Sequence, residues 1–159
     1  MPTAREDAKN RRRWLSQALK ALRRRRGLRP ADVARAMRMP LRSYEYFEAV
    51  EGRINLDRIH QFASVLNADP YAILVAMEIG SPEFAVRCAD NKLVTILTMV
   101  LQDFDAATGD AMVQLDPQTL TAALTRLTAS LSETAHQRAA APSAWLFGPP
   151  KADDEPEDT

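Results

Sequence analysis

The sequence is poor in the residues from which covalent frames and metal centres are built. One cysteine, Cys88, stands alone in 159 residues, so no disulfide frame and no cysteine metal cluster forms within one chain. It reads as a small buried thiol in a reducing cytoplasm. The two histidines, His60 and His136, are isolated, whereas metal sites need clustered ligands. No strand signal appears along the chain, and no catalytic constellation emerges. The expectation is a protein that is not an enzyme and uses no cofactor and no metal. Long apolar runs are missing too. The most apolar stretch, Leu93 to Leu101, is far shorter than the ~20 residues of a membrane-spanning helix. The N-terminus is polar, without a signal-peptide pattern, so the expected location is the cytoplasm.

Net charge is absent as well, but that zero conceals an asymmetry. Residues 1–60 hold 16 Lys and Arg against 7 Asp and Glu, a net +9; residues 61–159 hold 5 against 14, a net −9. Such a split implies an anionic partner for the first half. Hydrophobic residues at 46% and charged residues at 26% are the balance of a soluble globular protein.

Nearly everything present reads as helix. Leu15, Ala18, Leu19 and Leu22 form an apolar stripe that Gly27 ends. Pro30 suits the first turn of a second helix, ADVARAM. A short connection at Arg38, Met39 and Pro40 leads to a third, in which Tyr44 and Phe47 face inward. Asn55 caps a fourth, with Leu56, Ile59, Phe62, Ala63 and Leu66 on one face. Asp69-Pro70 opens a fifth. Ser81-Pro82 repeats that start signal, and the apolar stripe then runs from Val86 to Phe104, with a break on offer at Asp90-Asn91. Gly109 lies in a turn, and Asp116-Pro117 begins a last helix. From about Ala139 the pattern stops, and a Pro-rich, acidic tail is expected to be disordered. Within it, Trp145-Leu146-Phe147 either docks on its own chain or dimer mate, or is a linear motif for a protein partner.

The ordered spacings from Leu15 to Leu74 resemble the Cro and phage-repressor type of helix-turn-helix regulator, the xenobiotic-response-element (XRE) family. Gly27-Leu28, Val33-Ala34, Met39, Tyr44, Phe47-Glu48, Asn55 to Leu66 and Asp69 to Leu74 carry the resemblance. Departures are Arg38 where the family often has glycine in the turn, Pro30 where it has glutamine, and a loop, AVEGR, one residue longer. The resemblance implies a five-helix lambda-repressor-like DNA-binding domain; the later apolar stripes and the tail composition add a helical-hairpin dimerisation region and a disordered tail, so the expected fold class is all-α. The domains are then a basic N-terminal arm (1–13), the helix-turn-helix domain (14–79), the hairpin (80–138) and the tail (139–159).

It further implies that the third helix enters the major groove of double-stranded DNA with its N-terminal residues on base edges. The base-reading candidates are Leu41, Arg42, Ser43 and Tyr46. Phosphate candidates are Arg29, Arg35, Arg53 and Asn55, with Arg23 to Arg26 nearby. Arg11, Arg12 and Arg13 would lie along the backbone or enter a minor groove. Glu48 is expected to be structural; Glu45 either accepts from cytosine or repels phosphate. Some relatives carry a self-cleaving protease or a β-barrel ligand domain. After residue 79 the only lysines are Lys92 and Lys151, neither in a Ser-Lys arrangement, and no strands follow.

The hairpin alone buries too little apolar surface, so a homodimer is expected. Leu93, Ile96, Leu97, Val100, Leu101 and Phe104, with Leu120, Leu124, Leu127 and Leu131, would line its bundle; the other arrangement folds these stripes onto the N-terminal domain. Function is then expected to be that of a sequence-specific transcription regulator of bacterial or phage type, a dimeric repressor on a palindromic operator. The alternative is an antitoxin-like or adaptor protein acting through its C-terminal helices or Trp145-Leu146-Phe147.

Overall fold

The computed structural model describes residues 4–140 and is all-α. Its elements are α1 (Ala4–Arg25), α2 (Pro30–Ala36), α3 (Leu41–Glu48), α4 (Leu56–Val65), α5 (Pro70–Glu78), α6 (Pro82–Arg87), α7 (Leu93–Thr108), a short 3-10 helix (Gly109–Gln114) and α8 (Pro117–Ala140). The chain divides after Ala107 into two compact units. Trp145-Leu146-Phe147 and the acidic tail lie outside the described residues.

The first unit is built on α1. Its stripe of Leu15, Ala18, Leu19 and Leu22 is buried, as the spacing predicts. Across it lie Val33 and Ala34 of α2, Tyr44 of α3, Ile59 and Phe62 of α4, and Ile73 and Ala76 of α5. Tyr44 stacks on Phe62 with ring centroids 6.5 Å apart, and Phe47 closes the cluster at 5.9 Å from Phe62.

Helix ends follow one recipe. At the end of α1, Leu28 N–H donates to Arg23 C=O and Gly27 N–H to Arg24 C=O, with Gly27 at φ 66°; this is the left-handed closure that satisfies orphan carbonyls. The same pair of bonds closes α2 around Arg38 (φ 53°), α3 around Val50 (φ 54°) and α4 around Asn67 (φ 48°). Arg38 therefore does adopt the turn conformation for which glycine is the easier choice. Val50 is the greater strain, because β-branched residues rarely enter this region; its burial against the core holds it there.

Three placements differ from the sequence reading. Residues 4–13 are the opening turns of α1, not an arm ahead of it. The apolar stripe begins only at Leu15, so periodicity gave no signal there; good helix formers and acidic Glu6 and Asp7 in the first turn suffice. Secondly, α6 does not start a hairpin: it packs on α1 and α5, with Ala85 and Ala89 in the main core. The break offered at Asp90-Asn91 is real and separates α6 from α7. Thirdly, Asp69 does more than cap α5. Its Oδ1 accepts from Tyr71 N (3.0 Å) and Ala72 N (3.2 Å), while Oδ2 accepts from Val94 N (2.9 Å) and Thr95 N (3.0 Å) at the start of α7. The carboxylate is fully buried and ties two helix N-termini together. Cys88 is buried beside this joint against Ala72 and Val94. Burial first, and the nearby Asp69 carboxylate second, push its thiol pKa up; it is the small buried thiol expected.

Tyr44 supplies a spectroscopic check on the core. Burial, then the adjacent Glu48 carboxylate, raise its phenol above the ordinary value of 10.0. A raised folded value means stability that is fully present below the unfolded value and lost as pH rises through the folded one. Tyr44 should therefore not ionise while the fold persists. The native alkaline absorbance titration of Tyr44→Phe should superimpose on that of the wild type; one missing phenolate step in the variant would refute the buried placement.

Candidate nucleic-acid interface

Eight residues make α3, and their spacing divides it in two. Tyr44 and Glu48, four apart, are buried; Phe47 is half-buried; Leu41, Arg42, Ser43, Glu45 and Tyr46 are exposed. Pro40 precedes the helix, and no side chain caps its N-terminus. The partial positive charge of that end thus stays available beside Leu41, Arg42 and Ser43. Arg42 and Glu45 have no ion-pair partner among the described residues. Tyr46 is 53% exposed, and its ring lies over Gly52 so closely that a Cβ there would sit 2.8 Å from it. The four base-reading candidates therefore share the exposed side of one short helix.

What fixes this helix is an ion pair that the sequence reading assigned elsewhere. Arg23 Nε donates to Glu48 Oε1 at 2.6 Å and Nη2 to Oε2 at 3.3 Å, while Tyr44 Oη donates to the same Oε1 at 2.9 Å. Nη1 of Arg23 also donates to the Leu28 carbonyl at 3.1 Å. A buried carboxylate is tolerable only when so satisfied. The fork locks α3 against α1 through the far face of α3, leaving the exposed face free. Glu48 is structural, as expected, but Arg23 is not a phosphate donor.

Nor is Arg26, which donates to the Leu66 carbonyl at 2.9 Å, the Asn67 carbonyl at 3.0 Å and Asp90 Oδ1 at 2.6 Å. That bond to Arg26 is the first cause of the lowered pKa of Asp90. The signal was present in the sequence. Arg23 falls four residues after Leu19 and Arg26 four after Leu22, so both continue the buried stripe of α1. Arg24 and Arg25 point outward and are exposed.

The remaining cations sort by what already holds them. Arg29 and Arg35 share the Asp32 carboxylate, at 3.1 Å and 4.0 Å; the Arg29 hydrogen bond leads the causes that lower the Asp32 pKa. Both guanidiniums stay exposed. Arg53 is exposed and pairs with no carboxylate among the described residues. Asn55 is committed to its own helix, its Oδ1 accepting from Arg58 N at 3.0 Å. On α1, Arg11 meets Glu78 at 3.4 Å and Arg12 Nη1 donates to the Gly52 carbonyl at 3.0 Å, while Arg13 is exposed and unpaired among the described residues. Arg12 thus pins the α3–α4 loop to α1.

Beyond the interface, α7 buries only Val94 and α8 buries none of its residues. The ten apolar positions expected at a dimer interface are all exposed, from Phe104 at 38% to Leu124 and Val100 at 55%. No described helix is long and apolar enough to cross a membrane.

Residues 14–72, from Trp14 in α1 to Ala72 in α5, match the family model of a helix-turn-helix domain. No curated protein and no solved structure matches the chain.

Proposed function

From the helix-turn-helix domain at residues 14–72, a domain found in XRE-like DNA-binding regulators, we propose that the protein is a sequence-specific transcription regulator, a dimeric repressor that occupies a palindromic operator through the major groove. One observation carries the reading: Leu41, Arg42, Ser43 and Tyr46 are exposed together on α3 while the opposite face of that helix is bolted to α1. Rigid presentation of a few side chains is what base reading needs. Arg42 is the guanine reader, through a bidentate contact, and Leu41 packs on a thymine methyl. Arg53, Arg13 and the exposed guanidiniums of Arg29 and Arg35 supply the phosphate contacts, which add affinity and register without sequence information. Repression is favoured over activation because blocking a promoter requires only occupancy.

A second copy of the chain is the partner that α7 and α8 call for. Each of these two helices exposes a run of large apolar side chains, which is rarely left in water, and two half-sites raise both affinity and selectivity. The same exposure is what favours an adaptor or antitoxin-like role as the second reading, with a different protein covering these helices.

Genome-wide selection of bound DNA with the purified protein, beside Arg42→Ala, tests the first reading. The expected result is one enriched palindrome whose affinity falls steeply with salt. Arg42→Ala should weaken it by about 1–3 kcal/mol, roughly 5- to 150-fold, and relax preference at one base pair per half-site. Salt-sensitive binding with no enriched sequence would sink the operator-binding function.

A further inference from the structure

Beneath the α3–α4 loop lies a cleft of about 570 Å³. Its apolar lining comes from Pro40, Phe47, Val50 and Ile54, with the core residues Leu15, Leu19 and Ile59 behind them. The loop over it is a held arch. Val50 turns it with a left-handed backbone at φ 54°, Arg12 anchors the Gly52 carbonyl at 3.0 Å, and Asn55 caps the helix that follows. Strained backbone of this kind persists where the surroundings over-determine it, and it concentrates at functional sites.

Its polar lining comes from Arg42, Arg53 and Arg58, with Ser43 and Tyr46; all but the half-buried Arg58 are exposed. None of these guanidiniums pairs with a carboxylate among the described residues. Among the described residues the Arg58 guanidinium reaches the Met39 sulfur, at 3.6 Å. Charge and shape together select the occupant. An inorganic anion would satisfy the guanidiniums and leave the apolar lining uncovered; a neutral hydrocarbon would cover that lining and leave the guanidiniums unmatched. A molecule with a hydrophobic body and one carboxylate satisfies both, with the bidentate geometry that arginine offers. The volume lies within the ~300–1,000 Å³ of small-molecule sites.

We propose that this cleft binds a small hydrophobic carboxylate, and that its occupation excludes DNA. The second half rests on the DNA-binding reading, because Arg42, Tyr46 and Arg53 belong to both surfaces. A ligand that draws these side chains inward removes the guanine reader, a base-edge contact and a phosphate contact at once. By linkage, DNA must weaken the ligand by the same factor.

The test uses full-length protein and two probes, naphthylacetate and the isosteric neutral naphthylacetamide. Binding is followed by calorimetry and by the amide resonance of Gly52, first without DNA. The acid should bind one per chain, shift Gly52, and bind at least about tenfold tighter than the amide. Arg58→Gln should bring the acid to the level of the amide. Equal affinities for acid and amide in the wild type, or no shift at Gly52 with millimolar acid, would overturn the site without recourse to any variant. So would binding that appears only in Trp145→Ala, since the cleft would then be filled by the chain's own Trp145-Leu146-Phe147. Acid is next titrated into the protein–DNA complex at fixed salt. Release of DNA supports exclusion; binding of acid with DNA affinity unchanged overturns it. A protein that binds no DNA would sink the regulator reading, and the acid-against-amide comparison would still decide the site.

Discussion

Asp69→Ala is expected to lower the unfolding free energy by about 3–5 kcal/mol, out of the roughly 5–15 kcal/mol typical of a domain. The carboxylate is completely buried and accepts from four backbone N–H groups and, at 2.9 Å, from the Thr95 hydroxyl. Loss of a cap alone costs about 0.5–2 kcal/mol; here two helices lose their caps together, and each buried donor left unpaired adds about 1–3 kcal/mol where water cannot replace the acceptor. Asp69→Asn separates capping from joining. An amide offers one oxygen, so one helix start keeps its acceptor while the NH₂ group faces two backbone donors at the other. Urea denaturation should rank wild type above Asn and Asn above Ala, and amide exchange at Val94 and Thr95 should quicken in both variants. An Asn variant with wild-type midpoint and protected Val94 would refute the joint.

That joint shows where sequence reasoning stops. Asp69-Pro70 announced a helix start, because capping is chemistry among residues two or three apart. The acidic residue's second duty, at Val94 and Thr95, depends on a chain reversal through α6 that no local pattern encodes. The stripe of α1, the Gly27 closure, the Asn55 cap and the left-handed Arg38 were legible for the same local reason. So was the division of α3, where Tyr44 and Phe47 read as core and Leu41, Arg42 and Ser43 as the exposed edge. The arginine run 23–26 was legible in principle: helical phase places Arg23 and Arg26 on the stripe, yet charge suggested surface. Apart from the Leu28 carbonyl, their partners Glu48, Leu66, Asn67 and Asp90 lie 25 to 64 residues away, and only the fold brings them into reach. The longer loop AVEGR was legible in the sequence, but the cleft beneath it was not, because its lining joins residues of α1, α3 and α4 that only the fold brings together.

Val100→Asp is expected to leave the single chain as stable as before and to abolish the proposed dimer. Val100 is 55% exposed in the chain, with Ile96 at 52%, Met99 at 58% and Leu101 at 54% around it. A helix apolar on most of its circumference is one made to be covered. Substitution at so exposed a site changes chain stability by no more than about 0.5 kcal/mol. In a two-fold assembly the same change sets a buried carboxylate into both copies of the interface, where unpaired charge is least tolerated. Light scattering should then show half the wild-type mass. Affinity for the palindrome should fall by about 10²–10⁴, the advantage of two linked half-sites, with affinity for an isolated half-site unchanged. Arg42→Ala should behave oppositely, weakening half-site and palindrome alike, because it alters the reading of bases and not the linkage of two readers. A wild-type monomer at micromolar concentration, or a Val100→Asp protein with undiminished mass, would remove the dimer; α7 would then have to be covered by another protein, as the adaptor reading requires.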